Sequence, residues 1–175
     1  MRAARKILVA IVALTALAGV VFLFVQHQRR QGAEPQTPLA PAQEYVTIYL
    51  VQAEPTEFHL VPVERKIGGP ASPEAALQAL LNGPLEQEEL YSSVPITAKL
   101  RSLTVQEGFA TADFSAHLVE DFNGGALLES YLVAAIVNTL TEFPHIDQVQ
   151  ILVEGQVVES IGGHILVNRP LRRGD

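Results

Sequence analysis

Hydrophobic residues fall into one long unbroken run near the start of the chain, followed by shorter periodic segments. Ile7 to Val25 is a stretch of 19 residues with no charge and with Thr15 as its only polar side chain. At about 1.5 Å per residue, a helix of that length crosses the roughly 30 Å hydrocarbon core of a bilayer. Lipid offers no partner for backbone polar groups, so such a run must be helical. It predicts a transmembrane helix. Ala16-Leu17-Ala18 also fits a signal-peptide cleavage pattern. However, Gly19 to Val25 continues the apolar run without a break, which favours an uncleaved anchor. Arg2, Arg5 and Lys6 precede the run and Arg29 and Arg30 follow it; the bias places the N-terminus in the cytoplasm and the rest outside. Residues 1–30 are thus expected to be an anchor with basic flanks.

Residues 31–44 read QGAEPQTPLAPAQE, with Pro35, Pro38 and Pro41 at every third position. That spacing matches polyproline II, and too few apolar side chains are present to form a core. The segment reads either as a semi-rigid stalk reaching roughly 40 Å or as a plain disordered linker.

Residues 45–175 carry the pattern of one α+β domain. Tyr45 to Val51 is β-branched and aromatic and predicts a strand. Phe58 to Ile67 predicts a second, with Pro62 marking an edge or a bulge. Ser72-Pro73-Glu74 opens a helix with a cap, a first-turn proline and an acid near the positive end of the dipole. Asn82-Gly83-Pro84 ends it. Leu100 to Gln106 and Phe109 to Phe114 alternate around Glu107-Gly108, which predicts a hairpin. Ala126 to Phe143 predicts a long helix, with Leu128, Leu132, Ile136 and Leu140 on its core stripe. Leu127, Tyr131, Ala134 and Val137 make its opposite side apolar too, so it must be covered on two sides. A last hairpin turns at Glu154-Gly155. The expected fold is a twisted mixed or antiparallel sheet with two main helices packed mostly on one face.

Charge separates the two parts of the chain. Residues 1–30 hold five Lys and Arg and no acid, a formal +5; the whole chain is −7, which leaves −12 on residues 31–175. An acidic domain does not suit a nucleic acid backbone or an anionic lipid surface. The chain has no cysteine and no Trp. Disulfides are therefore impossible, and zinc or iron–sulfur sites, which favour thiolates, are not expected.

Candidate chemistry is sparse, and no cofactor, metal or catalytic residue is assigned. His117 lies near Asp113, Glu120 and Asp121, a set able to hold a divalent cation, but a solvated turn after a strand explains it as well. Ser115 lacks a G-x-S-x-G elbow, and Asp113 reads as a strand-ending acid bonded to backbone N–H groups. Asn138, Thr139 and Thr141 read as helix residues bonding back to the preceding turn, with a polar ligand notch as the alternative. Gly68-Gly69, Gly124-Gly125 and Gly162-Gly163 fit no phosphate-binding motif and read as turns. Glu86, Glu88 and Glu89 form an acidic patch. Tyr45, Tyr49, Tyr91 and Tyr131 are the only tyrosines available as stacking platforms for a glycan. On the long helix, Leu127 and Tyr131 are the candidate partner-docking residues.

Six segments, taken in order, resemble the GerMN (germane) domain family. They are Tyr45 to Leu50, Pro73 to Pro84, Ser93-Val94-Pro95, Ala110 to Ser115, Val137 to Pro144 and Val149 to Gly155. The resemblance implies an extracytoplasmic module of the bacterial cell envelope, tied to sporulation or germination. It brings no agreed catalytic activity; docking of an envelope protein or association with peptidoglycan is implied instead. Many members are lipoproteins with an acylated Cys. This chain has none, and Ile7 to Val25 would replace the lipid anchor.

Overall fold

The computed structural model describes residues 44–175. The expected anchor, its orientation and all of the Pro-rich stalk but its last residue, Glu44, lie outside the described residues; Glu44 O accepts the Ile67 N–H at 3.0 Å. Among the described residues no helix is long and apolar enough to cross a membrane.

The first sheet is built from β1 (Tyr45–Ala53), β2 (Phe58–Lys66) and the two-residue β3 (Leu90–Tyr91), in the order β2-β1-β3. β1 and β2 pair antiparallel over nine residues, from Tyr45 opposite Lys66 to Ala53 opposite Phe58. Pro62 has no N–H to give, and β2 is an edge strand, where that loss is tolerated. Helix α1 (Pro73–Asn82) follows. Ser72 Oγ accepts the Ala75 N–H at 3.1 Å, and Gly83, with φ of 73°, closes the helix by donating to Leu80 O.

The second sheet has the order β4-β5-β6-β7. β4 (Leu100–Gln106) and β5 (Phe109–Phe114) form the first hairpin; β6 (Gln148–Val153) and β7 (Gln156–Val157) form the second. Both turn pairs have positive φ: 49° and 83° at Glu107 and Gly108, 52° and 75° at Glu154 and Gly155. Two successive positive values define the turn whose twist matches the strands it joins. β5 and β6 run parallel, Phe109 opposite Gln148 through Phe114 opposite Val153. Their crossover carries the one-turn α2 (His117–Glu120) and the long α3 (Ala126–Thr141).

The fold is α+β, but the single sheet expected from the sequence is two sheets. Ile48, Tyr49, Leu50 and Val51 of β1 are all buried. Successive strand residues face opposite sides, so both faces of β1 are covered. Helices α1 and α3 pack against β1 and against each other, and α3 also reaches β6. One helix serving both sheets explains why α3 is apolar nearly all round. Leu132, Val133, Ala135, Ile136, Val137 and Leu140 are all buried in the core cluster it joins.

Candidate functional site

α3 places the two candidate docking residues one turn apart. Leu127 is 54% exposed. Tyr131 is half-buried, and its hydroxyl donates to Phe58 O, at the start of β2, at 2.5 Å. Ser93 Oγ donates to the carbonyl of Tyr131 at 3.3 Å. Tyr131 is therefore a tether joining α3 to β2 and to the segment after β3, not a free surface tyrosine. Leu128, expected in the core, is 40% exposed, because Glu129 takes the buried position next to it. Phe58 and Tyr91, which flank the Tyr131 contacts, are also exposed. A polar cleft of about 400 Å³, lined by Gln52, Ala53, Glu88, Glu89, Leu90 and Tyr91, opens beside them.

Of the second apolar side of α3, the part at Ala134 and Val137 is flanked by the C-terminal segment Leu171 to Asp175. Arg173 donates to Tyr49 Oη at 2.9 Å, Thr141 Oγ1 at 3.1 Å, Asn138 O at 2.8 Å and Glu142 Oε1 at 2.6 Å. Tyr49 donates to the same Glu142 oxygen at 2.6 Å. The Tyr49 hydroxyl, with burial opposed to it and Arg173 assisting, holds the Glu142 carboxyl below its ordinary pKa. Burial first, and then its bond to Glu142, pushes the Tyr49 pKa up.

Glu129 is fully buried and was not singled out by sequence reasoning. Its carboxylate accepts the N–H groups of Ile161 at 3.0 Å, Gly162 at 2.7 Å and His164 at 2.8 Å, and lies 3.0 Å from His164 Nδ1. Burial alone would raise its pKa; the Gly162 and His164 bonds outweigh that and lower it. A Cβ on Gly162 would fall 2.5 Å from the Phe122 ring, so this diglycine is a close-packed loop seated on a carboxylate. The sequence did carry one signal. Glu129 is in helical phase with Leu132, Ile136 and Leu140, on the buried stripe.

Other charged groups also form internal clamps. Arg65 pairs with Glu88 through two bonds of 2.8 and 2.9 Å, and this guanidinium is the main cause of the lowered Glu88 pKa. Asp113 accepts from Arg101 at 2.7 Å and from the Gly155 N–H at 2.7 Å, so it locks the two hairpins together. Ser115 Oγ accepts from the Lys99 N–H, and Asp121 accepts from Thr97 at 2.5 Å. His117 opens α2, is exposed, and its carbonyl accepts the Asp121 N–H at 3.2 Å. Among the described residues no group of three or more His, Asp or Glu side chains comes together to hold a metal. Thr141 bonds back to Val137 O at 2.8 Å, whereas the buried Thr139 hydroxyl finds no partner. Of the glycan-platform tyrosines, Tyr45 and Tyr91 are exposed and Tyr49 is buried.

The chain is a two-sheet α+β module with its interior charges held in internal clamps. The family model described as "Germane: Sporulation and spore germination" matches residues 47–159. The chain belongs to that family. Solved structures share the fold. The first GerMN domain of the sporulation protein GerM from Bacillus subtilis is 24% identical with a TM-score of 0.60, over 75% of this chain and 99% of that one. The tandem GerMN domains of the same protein give 22% and 0.62, over 81% of this chain; the match spans about half of that chain, 49%. A Clostridium perfringens protein assigned as a lipoprotein gives 24% and 0.54, over 77% of this chain and 90% of that one. No curated protein matches the chain by sequence.

Proposed function

We propose that this chain is a noncatalytic binding module of the bacterial cell envelope, serving sporulation, germination or envelope assembly. In this reading Ile7 to Val25 anchors it in the membrane with the N-terminus inside. Residues 31–44 form the stalk, and residues 45–175 dock an envelope protein on the extracytoplasmic side. The observation that carries the reading is the end of the domain around Tyr131, where Phe58, Tyr91 and Leu127 are each about half exposed or more on elements fixed by internal hydrogen bonds. Exposed aromatic and aliphatic side chains on a rigid base are what a docking surface requires. Tyr45, the first residue of β1, lies at the other end of that strand, about 26 Å from Ala53 at 3.3 Å per residue. The family description and the assignment of the Clostridium relative as a lipoprotein support an envelope location. The test is Phe58→Glu combined with Leu127→Glu in the source cells. The variant should remain membrane-bound and folded yet lose the sporulation or envelope phenotype of the parent; full function in the variant would refute the docking reading.

A second reading, association with peptidoglycan, is favoured by the cleft beside Tyr91, where an exposed ring adjoins the Gln52 amide and the Glu89 carboxylate. It predicts that the protein sediments with purified cell walls and that Tyr91→Ala abolishes this.

A further inference from the structure

We infer that the partner docked at the Phe58–Leu127–Tyr91 end is a basic amphipathic protein segment, which sets apolar side chains against these residues and Lys or Arg against the acids around them. The inference rests on the docking reading above and specifies its partner. Three stretches build this end: residues 52–59, 86–96 and 119–131. The Tyr131 hydroxyl ties the third to the first, and Ser93 ties the second to the third. The cleft shared by Gln52, Ala53, Glu89 and Tyr91 joins the first to the second.

None of the three stretches contains a Lys or an Arg. They contain six exposed carboxylates, Glu54, Glu57, Glu86, Glu89, Glu120 and Asp121; Glu54 and Glu57 adjoin Phe58 along the chain, and Glu89 shares the cleft with Tyr91. Their other two acids are taken up internally, Glu88 by Arg65 and Glu129 by the loop at Ile161 to His164. No described Lys or Arg falls within these stretches; Arg65 reaches the second of them, where Glu88 neutralises it. His59 is the only base here, and it sits 3.3 Å from Glu57 and 4.0 Å from Glu54.

Apolar side chains flanked by the carboxylates of Glu54 and Glu57 beside Phe58, and of Glu89 beside Tyr91, select their occupant by charge. An anionic bilayer would be repelled. A second copy of this chain would bring the same acids face to face, and juxtaposed like charges disfavour a complex. A protein segment with an apolar face and a basic flank satisfies both features, and the acids would steer its approach.

The test uses the full chain in nanodiscs of zwitterionic phosphatidylcholine, with the photoreactive residue p-benzoylphenylalanine replacing Leu127. The probes are a Leu/Lys amphipathic helical peptide, the same peptide with Glu for Lys, and a Lys/Ser peptide with no apolar face. Crosslinking to the Leu/Lys peptide should exceed that to either of the others by about tenfold. The same photoreactive residue at Glu64, on the outer strand β2, should show no such preference. The combined substitution Glu54→Lys, Glu57→Lys and Glu89→Lys should switch the preference to the Leu/Glu peptide with the unfolding transition unchanged. Equal capture of the Lys and Glu peptides, or a charge-reversed variant that keeps the Leu/Lys preference, would overturn the basic partner while leaving the docking face intact. Absence of capture of every probe at position 127 would overturn both.

Discussion

Glu129 Oε1 accepts the Gly162 N–H at 2.7 Å although 33 residues separate them. With the bonds from Ile161 and His164, this one carboxylate fixes the loop after β7 to the central helix. Glu129→Ala would strand the buried Ile161 N–H and the part-buried N–H groups of Gly162 and His164, a buried orphan donor costing about 1–3 kcal/mol. The variant should lose about 3 kcal/mol or more of stability, read by urea unfolding, and residues Ile161 to His164 should lose amide exchange protection. Unchanged protection there would show that the loop is held by other contacts.

Acid should destabilise the domain through the same carboxylates. Glu129, Glu142 and Glu88 all have lowered pKa values in the folded state. A carboxylate whose folded pKa is depressed contributes stability that is complete above its unfolded value and is lost as pH falls through the folded one. Stability should therefore be flat near neutrality and decline as pH drops below about 4.5, the ordinary value for these groups. Glu129→Gln should be less stable near neutrality and show a shallower decline. An identical slope in the variant would remove Glu129 from this account.

α3 should respond to charge according to face. Leu127 is exposed and Leu132 is fully buried. Leu127→Glu should change stability by no more than about 0.5 kcal/mol. Leu132→Glu buries an unpaired charge and should unfold the domain. Tyr131→Phe removes only the bond to Phe58 O and should cost about 1 kcal/mol. Circular dichroism melts of the three variants decide it; equal losses for Leu127→Glu and Leu132→Glu would mean that Leu127 is covered.

Sequence legibility followed the range of the interactions. The β4–β5 hairpin has the strand limits expected from Leu100–Gln106 and Phe109–Phe114, because Glu107-Gly108 fixes the turn locally. The Ser72 cap and the Pro62 edge position are local too. The parallel pairing of β5 with β6 was not legible: its partners are separated by α2 and α3, and no residue pattern specifies which strands meet. β3 was missed because two residues carry no periodicity. Leu128 was assigned to the core by spacing alone, whereas the true stripe runs through Glu129, an acid buried only because a loop 32 to 35 residues downstream supplies its donors. Of the two residues singled out on α3, only the surroundings of Leu127 were legible. Exposure of Leu127 follows helical phase, but the Tyr131 bond to Phe58 spans 73 residues.

The C-terminal segment should act as a clasp over α3. Arg173→Ala removes four hydrogen bonds, all on an exposed guanidinium. Because solvent competes for such bonds, the loss should be modest, about 1 kcal/mol. Backbone amides from Leu171 to Asp175 should exchange faster, while those of the β4–β5 hairpin stay protected. Uniformly faster exchange across both regions would show that the clasp is part of the global core.

Photocrosslinking in the source cells tests the central claim most directly, that the Phe58–Leu127 end is where this module binds. The photoreactive residue is placed in turn at Phe58, Leu127, Glu64 and Thr104, and crosslinked species are identified by mass spectrometry. The account predicts one envelope protein crosslinked from positions 58 and 127 but not from 64 or 104, and lost when Glu54, Glu57 and Glu89 are changed to Lys. Capture of the same protein from positions 64 and 104, with none from 58 and 127, would contradict it.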